Sequence, residues 1–172
     1  GVTLAEYFRD REHRDVLVIL DDRILNDETE KLTGWIGPTD QGTITAVYLD
    51  QDESKAMTRD SRLVFNRAIF EREIYPAVDP GISGSRLLEA GLVDETHVRV
   101  AEQVRALIAE DETAERSLRA HMFCTQPFFV AQFFTNIPGT VVPLATTITD
   151  FEALLNGTYY NTPPLAFRLI GS

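Results

Sequence analysis

Two groups of residues in this chain are of types that can do chemistry at a site. Asp21 and Asp22 close the apolar run Val16-Leu17-Val18-Ile19-Leu20. In open α/β sheets ligands sit at the carboxyl edge of the strands, and an acidic residue there can hold a metal-bound water. Acidic residues also end strands and start turns for local reasons, so the pair leaves both readings open. The second group is aromatic: Tyr75, Phe128, Phe129, Phe133 and Phe134. Aromatic faces can sandwich a planar base, and they can equally fill a core. Phe128 and Phe134 stand six residues apart with Ala131 between them, so on a helix they do not share one narrow stripe.

Spacing argues against several other chemistries. His13, His97 and His121 are far apart, and there is no Cys-x-x-Cys or His-x-x-x-His pattern of the kind that builds a structural zinc site. Gly81-Ile82-Ser83-Gly84-Ser85 approaches a nucleophile elbow, but the closing glycine of G-x-S-x-G is replaced by Ser85. A phosphate-cradling G-x-x-x-x-G-K-[ST] loop needs a lysine directly after glycine, and the two lysines follow Glu30 and Ser54. Asn156-Gly157-Thr158 matches a glycosylation acceptor but reads as a helix C-cap turn. Cys124, beside Phe123, reads as a small buried hydrophobe.

The elements that must position these residues follow from periodicity. Thr3-Leu4-Ala5-Glu6 has the form of a capping box, opening a helix to about residue 12 with Leu4, Tyr7 and Phe8 on one face. Residues 15–22 form the clearest strand, and its five consecutive apolar residues suit a strand covered on both faces, as in a parallel sheet. Residues 26–41 are polar, with a short helical stretch near 28–32 and breakers at Gly34, Gly37 and Pro38. Gly42 to Leu49 is a second, β-branched strand. A helix is expected over 58–72, and residues 74–80 are extended, because each proline biases its predecessor away from helix. Val98, Ala101, Val104, Leu107 and Ile108 recur at helical spacing over 94–110. Further helices are expected over 114–123, 127–134 and 150–156, the last capped by Thr149 or Asp150. The expected architecture is therefore an α/β layer over residues 1–88 and a helical layer over 89–172.

The 172 residues carry 16 Lys+Arg against 27 Asp+Glu, a formal net charge of −11. Such a surface repels phosphate backbones and anionic lipid, which disfavours nucleic-acid and membrane-surface binding. No apolar run reaches the roughly 18 residues of a membrane helix, and no signal-peptide pattern opens the sequence. A single cysteine excludes an intramolecular disulfide.

Several stretches, taken together and in order, resemble the catalytic β subunit of the F-type ATP synthase. Residues 1–10 followed by Asp15–Asp21 look like that family's helix leading into its Walker B strand, and Gly42-Thr43-Ile44-Thr45 looks like its GSIT strand. Arg67-Ala68-Ile69, Ile74-Tyr75-Pro76-Ala77-Val78-Asp79-Pro80 and Ser85-Arg86-Leu87 are similar to its "SRAIAELGIYPAVDP…SR" stretch. Gln126-Pro127-Phe128-Phe129-Val130-Ala131-Gln132, with Phe134-Thr135, looks like "QPFFVAQVFT". The resemblance implies a partial RecA-like, parallel-sheet nucleotide-binding layer followed by a C-terminal helical bundle. It implies that Asp21 matches the carboxylate holding the Mg²⁺ water shell, that Tyr75 stacks on adenine, and that Phe128, Ala131, Phe134 and Thr135 belong to the same adenine pocket. The implied ligand is ATP or ADP with Mg²⁺. The implied partners are a subunit like the family's α subunit or a second copy, and the implied setting is soluble, in the cytoplasm or on the matrix side of an organelle.

The departures from the family are as informative. Its phosphate loop and its water-orienting glutamate have no counterpart here, so no residue is assigned a catalytic role. Its Asn-Ile-Phe-Arg-Phe after Walker B becomes Asp22-Arg23-Ile24-Leu25-Asn26, and its "HYxVAR" becomes His97 to Glu102, with Val98 and Glu102 at the Tyr and Arg positions. Its acidic rotor lever shortens to residues 109–115. Phosphoryl transfer is nearly all positioning and charge stabilisation. The expectation is a β-subunit-like protein or fragment that keeps the base-binding side and does not hydrolyse ATP by itself. The alternatives are a docking or assembly module with no nucleotide, and a designed imitation of the family.

Overall fold

The computed structural model describes residues 1–21, 36–49, 60–89, 91–110 and 113–172. They belong to two units, Gly1–Thr58 and Arg59–Ser172. Asp22, both lysines, Trp35, the short helix expected near 28–32, and Asp111 and Glu112 of the acidic segment lie outside the described residues.

In the first unit, helix α1 (Val2–Asp10) precedes strands β1 (Val16–Asp21), β2 (Pro38–Thr39) and β3 (Gly42–Leu49). The β1 and β3 strands pair in parallel, Val16 opposite Ile44 through to Asp21 opposite Leu49, and β2 runs antiparallel on the far side of β3. The parallel pair is the one the apolar and β-branched runs called for. The expectation of cover on both faces does not hold. Along β1, Val16, Val18 and Leu20 are half-buried, whereas Leu17 and Ile19 are 62% and 63% exposed, and Val47 and Leu49 of β3 are exposed too. The cause is that α1 packs against both strands and buries Ala5 and Arg9, leaving the alternate residues outward.

Two readings of α1 are also corrected. Gly1 is its N-cap, no side chain caps it, and Leu4, Tyr7 and Phe8 are exposed. Small Ala5 on the buried face lets the helix approach the sheet closely. Gly42 serves the same approach, since a Cβ there would fall 2.9 Å from the Arg14 carbonyl oxygen.

In the second unit, strands β4 (Ser61–Arg62) and β5 (Gly84–Ser85) pair antiparallel, and Phe65 bridges Val78. This replaces the first half of the helix expected over 58–72; its described part begins at α2 (Arg67–Glu71). Asn66 decides the start. Its side-chain oxygen accepts from the Ala68 N–H at 2.9 Å, its amide donates to Asp79 at 2.9 Å, and its backbone N–H donates to the Ala77 carbonyl. Residues 61–66 are thereby held extended along 77–85.

After α3 (Arg86–Glu89) come α4 (Glu95–Ile108) and α5 (Glu115–Phe123), as the spacing required. A 3₁₀ turn (Phe129–Ala131) and the short α6 (Gln132–Thr135) stand where one helix over 127–134 was expected. Helix α7 (Leu144–Leu155) begins six residues before the expected cap, with Pro143 as N-cap, so Thr149 and Asp150 lie mid-helix. A 3₁₀ turn (Pro164–Phe167) closes the chain. The core gathers Val100, Val104, Leu107, Ile108, Ala120, Phe123, Leu154 and Phe167. The Phe123 ring meets Phe151 at 4.7 Å and Phe167 at 6.1 Å, both edge-on. Asn156 ends α7, with Gly157 at φ 80°, as the C-cap reading of that triplet expected.

Candidate functional site

The two stretches that carry the aromatic group meet through the main chain just after α5. Thr125 is only 1% exposed. Its hydroxyl donates to the Met122 carbonyl and accepts from the Leu169 N–H at 2.7 Å. That fixes the chain leaving α5 against the C-terminal segment. The next residue, Gln126, then donates its backbone N–H to the Tyr75 carbonyl at 2.9 Å. Arg168 reaches Glu73 at 3.4 Å, tying the C-terminal segment to the stretch that carries Tyr75. Tyr75, half-buried, precedes a cis proline, and its ring takes the edge of Phe70 at 5.5 Å.

Beyond Gln126 the chain makes a closed loop. The Thr140 N–H donates to the Pro127 carbonyl at 3.1 Å. Gly139 lies against Phe129 so closely that any Cβ would overlap the Phe129 backbone and ring, which explains a glycine there. Asn136 takes the left-handed conformation that ends α6, a position asparagine tolerates. The Thr135 hydroxyl donates to the Ala131 carbonyl at 3.1 Å and accepts from the Ile137 N–H at 3.2 Å, so it braces the loop. From this braced loop the rings project outward: Phe128 is 37% exposed, Phe134 88% and Phe133 93%. Exposed apolar rings grouped on one loop are a surface feature of the kind that marks interaction sites.

The Tyr75 main chain is therefore joined to the segment carrying Phe128, Ala131, Phe134 and Thr135. Asp21 belongs to the other unit. It is the last residue of β1, half-buried, at the carboxyl edge of the parallel pair. Among the described residues no three His, Cys, Asp or Glu side chains gather to hold a metal ion. A single carboxylate suits Mg²⁺, which keeps several waters and takes other ligands from phosphate oxygens. It does not suit a metal caged by protein alone.

Thr125, Gln126 and Gly139 position this loop and were not singled out in the sequence. Only Gly139 carried a signal, as a glycine directly after Pro138.

No family model matches the chain. Solved structures do. An ATPase of the type III secretion system of pathogenic bacteria superposes with a TM-score of 0.61 at 22% identity over 89% of this chain. The assembled ATPase EscN of enteropathogenic E. coli gives 0.62 at 22% identity, again over 89%. The ATP synthase subunit NeqB of Nanoarcheaum equitans gives 0.57 at 17% identity over 91%. The fold is that of these ATPases. The expected likeness to an ATP synthase subunit and the partial RecA-like α/β architecture are thus borne out at the level of fold. The chain spans 57%, 48% and 52% of those three proteins, about half their length. Among the described residues no helix is long and apolar enough to cross a membrane.

Proposed function

We propose that this chain binds an adenine nucleotide through its aromatic loop and does not hydrolyse it unaided. Tyr75, Phe128, Ala131, Phe134 and Thr135 form the base side of the site in this reading. Asp21, which belongs to the other unit, is proposed by itself as the counterpart of the carboxylate that holds an Mg²⁺ water shell in the family this chain resembles. The observation that carries the reading is the hydrogen bond from Gln126 to Tyr75 beside exposed Phe128 and Phe134, which ties the two stretches that resemble an adenine pocket. The ATPase fold supports it. The absence of a Gly-Lys phosphate loop from the 172 residues supports the second half, because positioning and neutralising the phosphates is most of the catalysis.

Stacking of one base on an aromatic ring contributes about 1–3 kcal/mol, so affinity without phosphate contacts falls near the millimolar range. EscN is described as an assembled ATPase, and this chain is proposed to meet either an α-like subunit or another copy of itself. The competing reading, a docking module with no nucleotide, is favoured by Val98 and Glu102 at the two positions where the resembled family carries Tyr and Arg. Titration with Mg·ADP separates them. Binding that weakens roughly 5- to 150-fold in Tyr75→Ala or Phe134→Ala supports the nucleotide site. No binding at millimolar ADP supports docking, and ATP hydrolysis abolished by Asp21→Ala contradicts the non-catalytic half.

A further inference from the structure

A cleft of about 300 Å³ opens between α5, the C-terminal end of α7 and the turn that follows it. Leu154, Leu155, Tyr159 and Tyr160 line it together with Arg116 and Arg119. Its volume is at the small end of ligand sites, enough for one ring with a short substituent. None of the residues of the proposed adenine site lines it.

The two arginines at this cleft have different roles. Arg119 is 6% exposed and fully engaged: it pairs with Glu115, donates to the Thr162 carbonyl at 2.7 Å, and lies 5.9 Å from the centre of the Tyr160 ring. Through that cation–π contact it holds Tyr160 as a preformed wall. Arg116, one turn earlier, is exposed. Among the described residues its only partner is the Leu155 carbonyl, at 3.2 Å, and no acidic side chain pairs with it. A guanidinium has five N–H donors, so this single bond leaves most of them directed to solvent. The carbonyl end of α7 offsets part of the positive charge, about half a unit at most. Capping α7 accounts for the Leu155 bond. The edge-on contact with Phe167 at 5.6 Å accounts for Tyr159, but neither contact accounts for Tyr160, 76% exposed on the lining of the same cleft.

We infer that this cleft binds a small organic anion with a flat apolar body, such as an aromatic carboxylate. The anionic group pairs with Arg116, and the ring lies on Leu154 and Leu155 against Tyr160. The charge of the occupant follows from Arg116, which has no acidic partner among the described residues, and its apolar body from the leucines and tyrosines of the lining. In a protein of net charge −11, an arginine with no acidic partner among the described residues, beside an apolar cleft, is a local exception that selects an anion.

The test is a backbone-amide NMR titration of the whole chain with benzoate, benzyl alcohol and inorganic phosphate in parallel. Benzoate should shift the Gly157, Tyr159 and Tyr160 resonances saturably, and Arg116→Gln should weaken this roughly tenfold. The rest of the Arg116→Gln spectrum should be unchanged, and Arg116→Lys should retain part of the affinity. Benzyl alcohol lacks the charge and phosphate lacks the ring, so each should bind much more weakly than benzoate. Equal binding of all three probes, no clustered shifts, or an Arg116→Gln affinity equal to the parent's would overturn the assignment.

Discussion

Thr125 and Cys124, adjacent at the end of α5, show how single residues fix the loop. Replacing Thr125 by Val keeps its shape but leaves the half-buried Leu169 N–H without its acceptor. That should cost about 1–3 kcal/mol, read as a lowered denaturation midpoint, and should loosen the Gln126–Tyr75 tie as well. Cys124 packs against the core, and burial pushes its thiol from 9.0 up to about 12. Thiolate is the reactive form, so iodoacetamide at pH 8 should modify the folded chain far more slowly than the chain in denaturant. The sign for stability follows. The folded thiol keeps its proton between about pH 9 and 12 while the unfolded one loses it, so stability falls as pH rises through that window and is unaffected below it.

At the scale of elements, what could be read in the sequence tracks how local the determining force is. Helix α4 was legible because its apolar spacing and its cap agree: Asp94 accepts from the Thr96 N–H at 2.8 Å. That bond, first among its causes, holds the Asp94 carboxyl below its usual range. Its contribution is present above the unfolded value of 3.8 and is lost as pH falls through the lower folded value. Asp94→Ala should therefore lower the thermal midpoint at pH 7, with the difference from the parent shrinking as the medium is acidified below pH 3.8. The start of α7 was not legible, because Thr146, Thr147 and Thr149 are poor helix formers. In the fold, Thr147 and Thr149 donate to the carbonyls four residues back, at Pro143 and Ala145, so their hydroxyls are satisfied within the helix. The early start of the helix expected over 58–72 failed for a different reason. Asn66 is tied to Asp79, thirteen residues away, and that contact has no local signature. The aromatic loop was half legible: its ring-bearing residues stood out, while the Thr125, Gln126 and Gly139 contacts that present them are tertiary.

At the scale of the whole molecule, the two units are distinct, with Asp21 in one and the aromatic loop in the other. The chain shares its fold with two ATPases over about half of their length. The account predicts recognition of the base without strong hold on the phosphates, so ADP and ATP should bind with similar affinity and adenosine only modestly less well. Calorimetric titration of the whole chain with Mg·ADP is the direct measurement. A saturable isotherm in the millimolar range that weakens at least fivefold in Phe134→Ala is the predicted result. A flat isotherm at several millimolar ADP, or an affinity untouched by Phe134→Ala and Tyr75→Ala together, would contradict it.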